Sequence, residues 1–296
     1  MIGYFVAHRL SFRLLSSFTV YGQVTTFNQM AKAYYGITFA EWNWVFMDAI
    51  WMITMAFTLP RAKANKKLSP ARPTASLLGA HTMSSYLGIL LINFLAMVVG
   101  LVALNQQSWY SCRKWVLDDI SYILVLGDNY ESTVIWLITG YQYLSSAAAY
   151  NFGFTHRAPW WSNYQLVFFF TGFTVLHYYV TLSEDRVSCL FRINCGNENV
   201  VRPVIGSEPY PIHNNWNTTV MPYPFRWVII GIMTANTLLS MTWEYYFVNG
   251  LQKKLGTKRR VKRDLRKSAK IYSQLSITAF ENEVSAVFSA DGDDAV

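Results

Sequence analysis

The chain has 296 residues, of which 52% are hydrophobic, 17% aromatic and 14% charged. A soluble domain carries about 25% charged residues, so the composition argues against an ordinary water-soluble fold. The net charge of +8 is concentrated: residues 253–270 hold ten basic residues against one acid, Asp264. A basic cluster beside a greasy segment suits anionic lipid rather than nucleic acid.

Arg9 and Arg13 interrupt the stretch where a cleavable signal would need an apolar run, so none is expected. A helix needs about 20 residues to cross a hydrocarbon core. On that criterion the sequence predicts spans at 14–35, 41–59, 83–104, 132–152, 164–183 and 226–248. The expected fold class is therefore an all-α polytopic membrane protein: a six-helix transmembrane domain over residues 1–252, then a cytoplasmic tail, 253–296.

The first two spans form a polar hairpin that turns near Gly36–Glu41. The first contains Thr25, Asn28 and Gln29, and the second carries Asp48 among Trp, Phe, Met and Ile. At about 1.5 Å per residue, Asp48 and Asn28 lie at similar depth, roughly 10–12 Å below the turn. A carboxylate near mid-bilayer costs at least about 2.5–3.5 kcal/mol, so it normally faces a partner, a cavity or an ion path. The structural alternative is an acid satisfied by Asn28, Gln29 or Lys32 of the neighbouring helix. No proline precedes Pro60, so neither helix is expected to be broken for ion coordination.

Further along, 60–82 is basic, 105–131 is acidic, and 184–224 is long and mixed. Basic connectors stay cytoplasmic, which places both termini there. The opposite side then holds Cys112, a possible Cys189–Cys195 disulfide, and a possible N-glycosylation site at Asn217 in Asn217-Thr218-Thr219. Trp42, Trp44, Trp109, Trp160, Trp161 and Trp243 fall where spans should meet headgroups, as interfacial anchors. Gln142, His177 and Asn236 lie within spans, where interhelical hydrogen bonding is expected. No phosphate-binding glycine loop, metal-site spacing or catalytic motif occurs, so no catalytic or metal residue is assigned.

Several ordered pieces resemble the C-terminal membrane half of type-five P-type ATPases, in the branch that transports polyamines or cations. They are Tyr21 and Asp48 at the family's spacing, Arg72-Pro73 with Ser76-Leu77-Leu78, and Tyr130-Glu131 with Thr133. Tyr141-Gln142-Tyr143-Leu144, Ala147-Ala148-Ala149, Arg157 with Pro159 and Asn163, and Glu244 before a basic tail complete the order. The resemblance implies that the six spans correspond to helices five to ten, and that Tyr21 and Asp48 line a substrate path. Thr25 and Asn28 belong to the same candidate set, although related transporters tend to carry glutamine at the Thr25 position. It further implies a cation or polyamine substrate, and ATP and Mg as cofactors of the full-length family. The phosphorylation motif Asp-Lys-Thr-Gly-Thr is absent, so no cofactor is expected in this chain and a fragment of a longer protein is the favoured reading. Such a piece is not expected to act as an ATPase alone. Its expected place is an endomembrane or the plasma membrane, with the bilayer and anionic lipid as partners. A non-enzymatic six-span scaffold or regulatory subunit is the alternative, and an ion channel a weaker one.

Overall fold

The computed structural model describes residues 2–63, 79–110, 129–151, 158–195, 204–205, 208–209, 220–252, 265–268, 271 and 274. The chain divides into two compact units, Met1–Tyr246 and Phe247–Val296. Among the described residues the architecture is helical, with one two-residue ladder in which β1 (Val204–Ile205) pairs antiparallel with β2 (Glu208–Pro209).

Helix α1 runs over Ile2–Tyr35. It stops at Gly36, whose φ of 62° is the left-handed conformation that a residue lacking Cβ adopts freely, and the Ile37 N–H then returns to the Lys32 carbonyl at 3.0 Å. Helix α2 (41–61) is composite. An α turn at Glu41–Trp44 passes into a π-helical stretch, Val45–Trp51, then back to α at Met52–Thr58 and a final turn at Leu59–Arg61. The second helix runs on without a break, but its π segment widens the hydrogen-bond ladder by one residue and re-aims side chains.

Helices α3 (Ala80–Asn105), α4 (Tyr130–Tyr150), α5 (Tyr164–Leu182), α6 (Arg186–Leu190) and α7 (Tyr223–Thr242) follow, and α7 continues as a π stretch, Trp243–Gln252. Local chemistry sets their starts. Asn129 caps α4 by accepting from the Ser132 N–H at 2.6 Å, and Asn163 caps α5 while donating to the Thr58 carbonyl at 2.8 Å. Asp185 caps α6 through the N–H groups of Val187 and Ser188, both at 3.1 Å.

Every residue of α4 is buried, including Thr133, Thr139, Gln142, Ser145 and Ser146. Neighbouring helices reach it through polar contacts. The Gln142 amide donates to the Asn93 carbonyl (2.7 Å), and the Asn93 amide donates to Ser146 (3.2 Å). Asn236 donates to Ser145 (3.1 Å), and the Trp136 indole donates to the Asn43 carbonyl (3.0 Å). The outer faces are the reverse. Leu87, Leu91, Leu95 and Val99 of α3, Phe168 and Val175 of α5, and Leu238 and Leu239 of α7 are each at least half exposed. Amides and hydroxyls pair within an otherwise apolar core, and aliphatic side chains line the outer faces, as suits helices packed in lipid. Among the described residues, two helices, α3 and α5, are by length and composition alone long and apolar enough to cross a membrane.

The ends of the bundle are tied separately. At one end Ser132 donates to the Thr38 carbonyl, Tyr130 donates to the Val220 carbonyl, and Trp109 packs on Tyr130 and Phe225. The buried Arg226 guanidinium there donates to the carbonyls of Met221 (2.8 Å) and Leu182 (2.7 Å) and pairs with Glu184. Cys189 and Cys195 form a disulfide in the same segment. At the other end Arg61 bonds Gln165, the Ala158 N–H meets the Lys63 carbonyl, and Ser85 donates to the buried Glu244 at 2.6 Å.

Candidate cation-binding site

Positions 21, 25, 28 and 32 are separated by four, three and four residues, a spacing that puts Tyr21, Thr25, Asn28 and Lys32 on one face of α1. Tyr21 donates its hydroxyl to the Asp48 carboxylate from across the hairpin. Asp48 sits within the π stretch of α2, the kind of local distortion that recurs at functional sites. Tyr143 of α4 closes the arrangement: its ring lies 4.6 Å from that of Tyr21, and its hydroxyl shares a 3.0 Å hydrogen bond with Thr25. Three helices therefore converge on one carboxylate.

Beside it is a crevice of about 30 Å³, lined by Tyr21 and Tyr143 together with Trp51, Met55, Ala56 and Ser146. That volume holds one or two waters and no larger ligand. A substrate path through this point therefore requires helix movement.

Of the residues singled out in the sequence, Tyr21 and Asp48 touch directly, and Thr25 reaches Tyr143 rather than Asp48. Asn28 is 1% exposed, and neither its amide nitrogen nor its amide oxygen has a hydrogen-bond partner. It does not satisfy Asp48; of the three partners in the structural alternative, Asn28, Gln29 and Lys32, the charge of Asp48 acts on Lys32. The third candidate partner, Lys32, is 3% exposed, with its ammonium 3.9 Å from the Trp44 ring centre and 4.2 Å from that of Phe39. Trp44, expected at the interface, thus packs on the hairpin itself.

His177 also departs from expectation. No hydrogen bond reaches either ring nitrogen, and the imidazole instead stacks on Trp51 (4.5 Å) and Trp136 (5.2 Å). Sequence reasoning assigned Tyr143 and Trp51 no site role. Tyr143 adjoins the polar Gln142 in a span, which was the available signal; Trp51 gave none. Asn217, Cys112, Arg72, Arg157 and most of 253–270 lie outside the described residues. Within those residues no group of His, Cys, Asp and Glu side chains is arranged to hold a metal ion.

No protein-family profile matches the chain. It is similar, at 23% identity over 225 residues, to the polyamine-transporting ATPase 13A3 of Homo sapiens, a match covering 69% of this chain and 16% of that protein. Similarity at 20% over 251 residues extends to the probable cation-transporting ATPase 13A5 of Homo sapiens, covering 77% and 19% respectively. The vacuolar cation-transporting ATPase YPK9 of Saccharomyces cerevisiae is 20% identical over 132 residues, 45% of this chain and 9% of that protein. The chain is a distant relative of these transporters over part of its length, and each match spans less than a fifth of the relative.

Proposed function

We propose that this chain is the membrane-transport portion of a P-type cation- or polyamine-transporting ATPase, crossing the bilayer six times and contributing part of the substrate path. Its spans correspond to the C-terminal membrane half of such a pump. The phosphorylation and nucleotide-binding parts are not among residues 1–296, so transport by this portion depends on them. The observation that carries the reading is the Tyr21–Asp48–Tyr143 cluster, a carboxylate flanked by tyrosines inside helices whose outer faces are apolar.

Six crossings are supported by the alternation of the connectors. The turn at 36–40, the end of α3 and the segment after α5 gather at one end of the bundle, while 60–63 and 158–163 gather at the other. Helices α1, α2, α4 and α7 are more polar than α3 and α5 because their amides and hydroxyls meet one another. That is how polar groups are accommodated in a bilayer.

The chemistry suits an organic cation. Asp48 supplies the charge, and the tyrosine faces add cation–π attraction of about 0.5–2 kcal/mol. Tyr21 donates to Asp48. An arriving ammonium group takes over as donor, so the carboxylate is never left unpaired. The test is calorimetric titration of the purified chain in lipid nanodiscs with spermine. Asp48→Asn removes a charge-assisted hydrogen bond worth about 1.5–3 kcal/mol, so binding at least about tenfold weaker is expected. Equal affinity in the Asp48→Asn chain would remove the site assignment.

A further inference from the structure

The α1–α2 hairpin builds more than the Asp48 contact. Above Asp48, the Phe39 and Trp44 rings stand 5.3 Å apart at 55°, and the Lys32 ammonium lies over both faces. Trp44 precedes Asp48 by four residues, about one turn, and the charge of Asp48 acts on the ammonium. Lys32 is also three residues from the C-terminal end of α1, where the helix dipole favours a cation. Two ring faces, a carboxylate and a helix C-terminus are a recognition set for any ammonium ion.

We propose that Lys32 is a tethered cation occupying an ammonium seat formed by Phe39 and Trp44 above Asp48, so that an organic ammonium substrate binds by displacing it. The inference rests on the reading of Asp48 as part of a cation path. Two further observations favour an exchangeable occupant. Among the described residues, no hydrogen bond holds the Lys32 ammonium. It is kept by ring faces and a field, which lack the directionality of a bidentate pair. One turn below on the same face, Asn28 is buried with both amide atoms unpartnered, an outstanding capacity to donate and accept that a bound amine or its water can meet. Displacement also preserves charge: one ammonium leaves the neighbourhood of Asp48 as another enters. Lys32 thereby sets the threshold affinity, because an occupied seat lowers apparent binding by the fraction of molecules in which it is free.

The sign of the effect separates this from a purely structural lysine. Loss of a structural cation leaves spermine binding unchanged or weaker; loss of a competitor tightens it. In the same nanodisc titration, Lys32→Met is expected to bind spermine about tenfold tighter than the unaltered chain, as for a seat free in about one molecule in ten. Lys32→Arg, which restores a cation, is expected to bind as the unaltered chain does. The gain should vanish in the Lys32→Met/Trp44→Leu double variant. A gain that persists without Trp44 means that Lys32 acts through charge alone, and overturns the seat. Should the methionine variant not fold, Lys32→Gln carries the same expectation. Equal or weaker binding in a folded neutral variant, while Asp48→Asn still weakens binding, overturns the tethered cation and leaves the cation path standing. No spermine binding by any variant overturns both.

Discussion

A demanding packing contact lies at Gly140, in the middle of the fully buried α4. A Cβ built there lies 2.4 Å from Trp51 Cζ3, 2.7 Å from Cη2 and 2.9 Å from His177 Nε2. Neither ring has somewhere to go. Trp51 is 1% exposed, stacked on Trp136 at 5.5 Å and on His177 at 4.5 Å, and His177 is itself 1% exposed. Gly140→Ala therefore forces rings rather than flexible chain ends to move, and overpacking of this kind costs about 1–3 kcal/mol. At about 2–4 °C per kcal/mol for a domain of this size, the melting temperature is expected to fall by about 2–12 °C. Gly172→Ala in α5 is the control, since nothing lies within 4 Å of its Cβ and alanine favours a helix by about 0.8–1 kcal/mol. Both are read by thermal unfolding in nanodiscs, followed by tryptophan fluorescence. Because Trp51 lines the crevice beside Asp48, Gly140→Ala should also weaken spermine binding. A Gly140→Ala chain that melts at or above the unaltered protein would refute the packing of α4 against α2 and α5.

Other expectations concern the end of the bundle that carries the disulfide. Arg226→Met leaves the carbonyls of Met221 and Leu182 without their guanidinium donor, and each buried unsatisfied group costs about 1–3 kcal/mol. A clear loss of melting temperature is expected, with Arg226→Lys intermediate. The Asp185 carboxyl is held below its ordinary range, first by the Tyr179 hydroxyl and then by the Ser188 and Val187 N–H groups and the Ser183 hydroxyl. A lowered native value means that the folded cap binds its proton less readily than the unfolded chain does. Its stabilisation is therefore present above the ordinary carboxylate value near pH 4 and fades as pH falls through the lowered native one. Phosphine reduction of the Cys189–Cys195 disulfide, measured between pH 6 and 2, should accelerate at the acid end in the unaltered chain. In Asp185→Asn the acceleration should be absent.

Much of the helical layout was legible because apolar blocks of bilayer length leave few alternatives. Residues 83–104 and 164–183 lie within or within one residue of α3 and α5. Depth alone paired Asp48 with Asn28, which has no hydrogen-bond partner; the contact of Tyr21 with Asp48 was implied by the family resemblance, not by depth. What periodicity could not give was the π stretch around Asp48, since no residue type demands it and tertiary packing selects it. Nor could the sequence show that Trp44 turns inward to Lys32, because an interfacial tryptophan and a cation-binding one look alike without the neighbouring helix. His177 illustrates the same limit. An imidazole in a span suggests a hydrogen bond, yet three aromatic neighbours, Trp51, Trp136 and Tyr141, claim it for stacking.

Exposed aliphatic faces around a core in which amides and hydroxyls pair are the physical basis for the proposed membrane role. Single cysteines in a Cys112→Ser chain, reconstituted in lipid vesicles and treated with a small charged methanethiosulfonate, test it directly. A thiol surrounded by lipid stays protonated and out of reach of a charged reagent, whereas one lining a hydrated crevice ionises and reacts. Ala56→Cys, in the crevice, is expected to react when helix movement opens that point and to be protected by spermine; Val99→Cys, on the exposed face of α3, is expected to stay unmodified. Rapid labelling of Val99→Cys with an inert Ala56→Cys would contradict both the lipid-facing exterior and the polar path within.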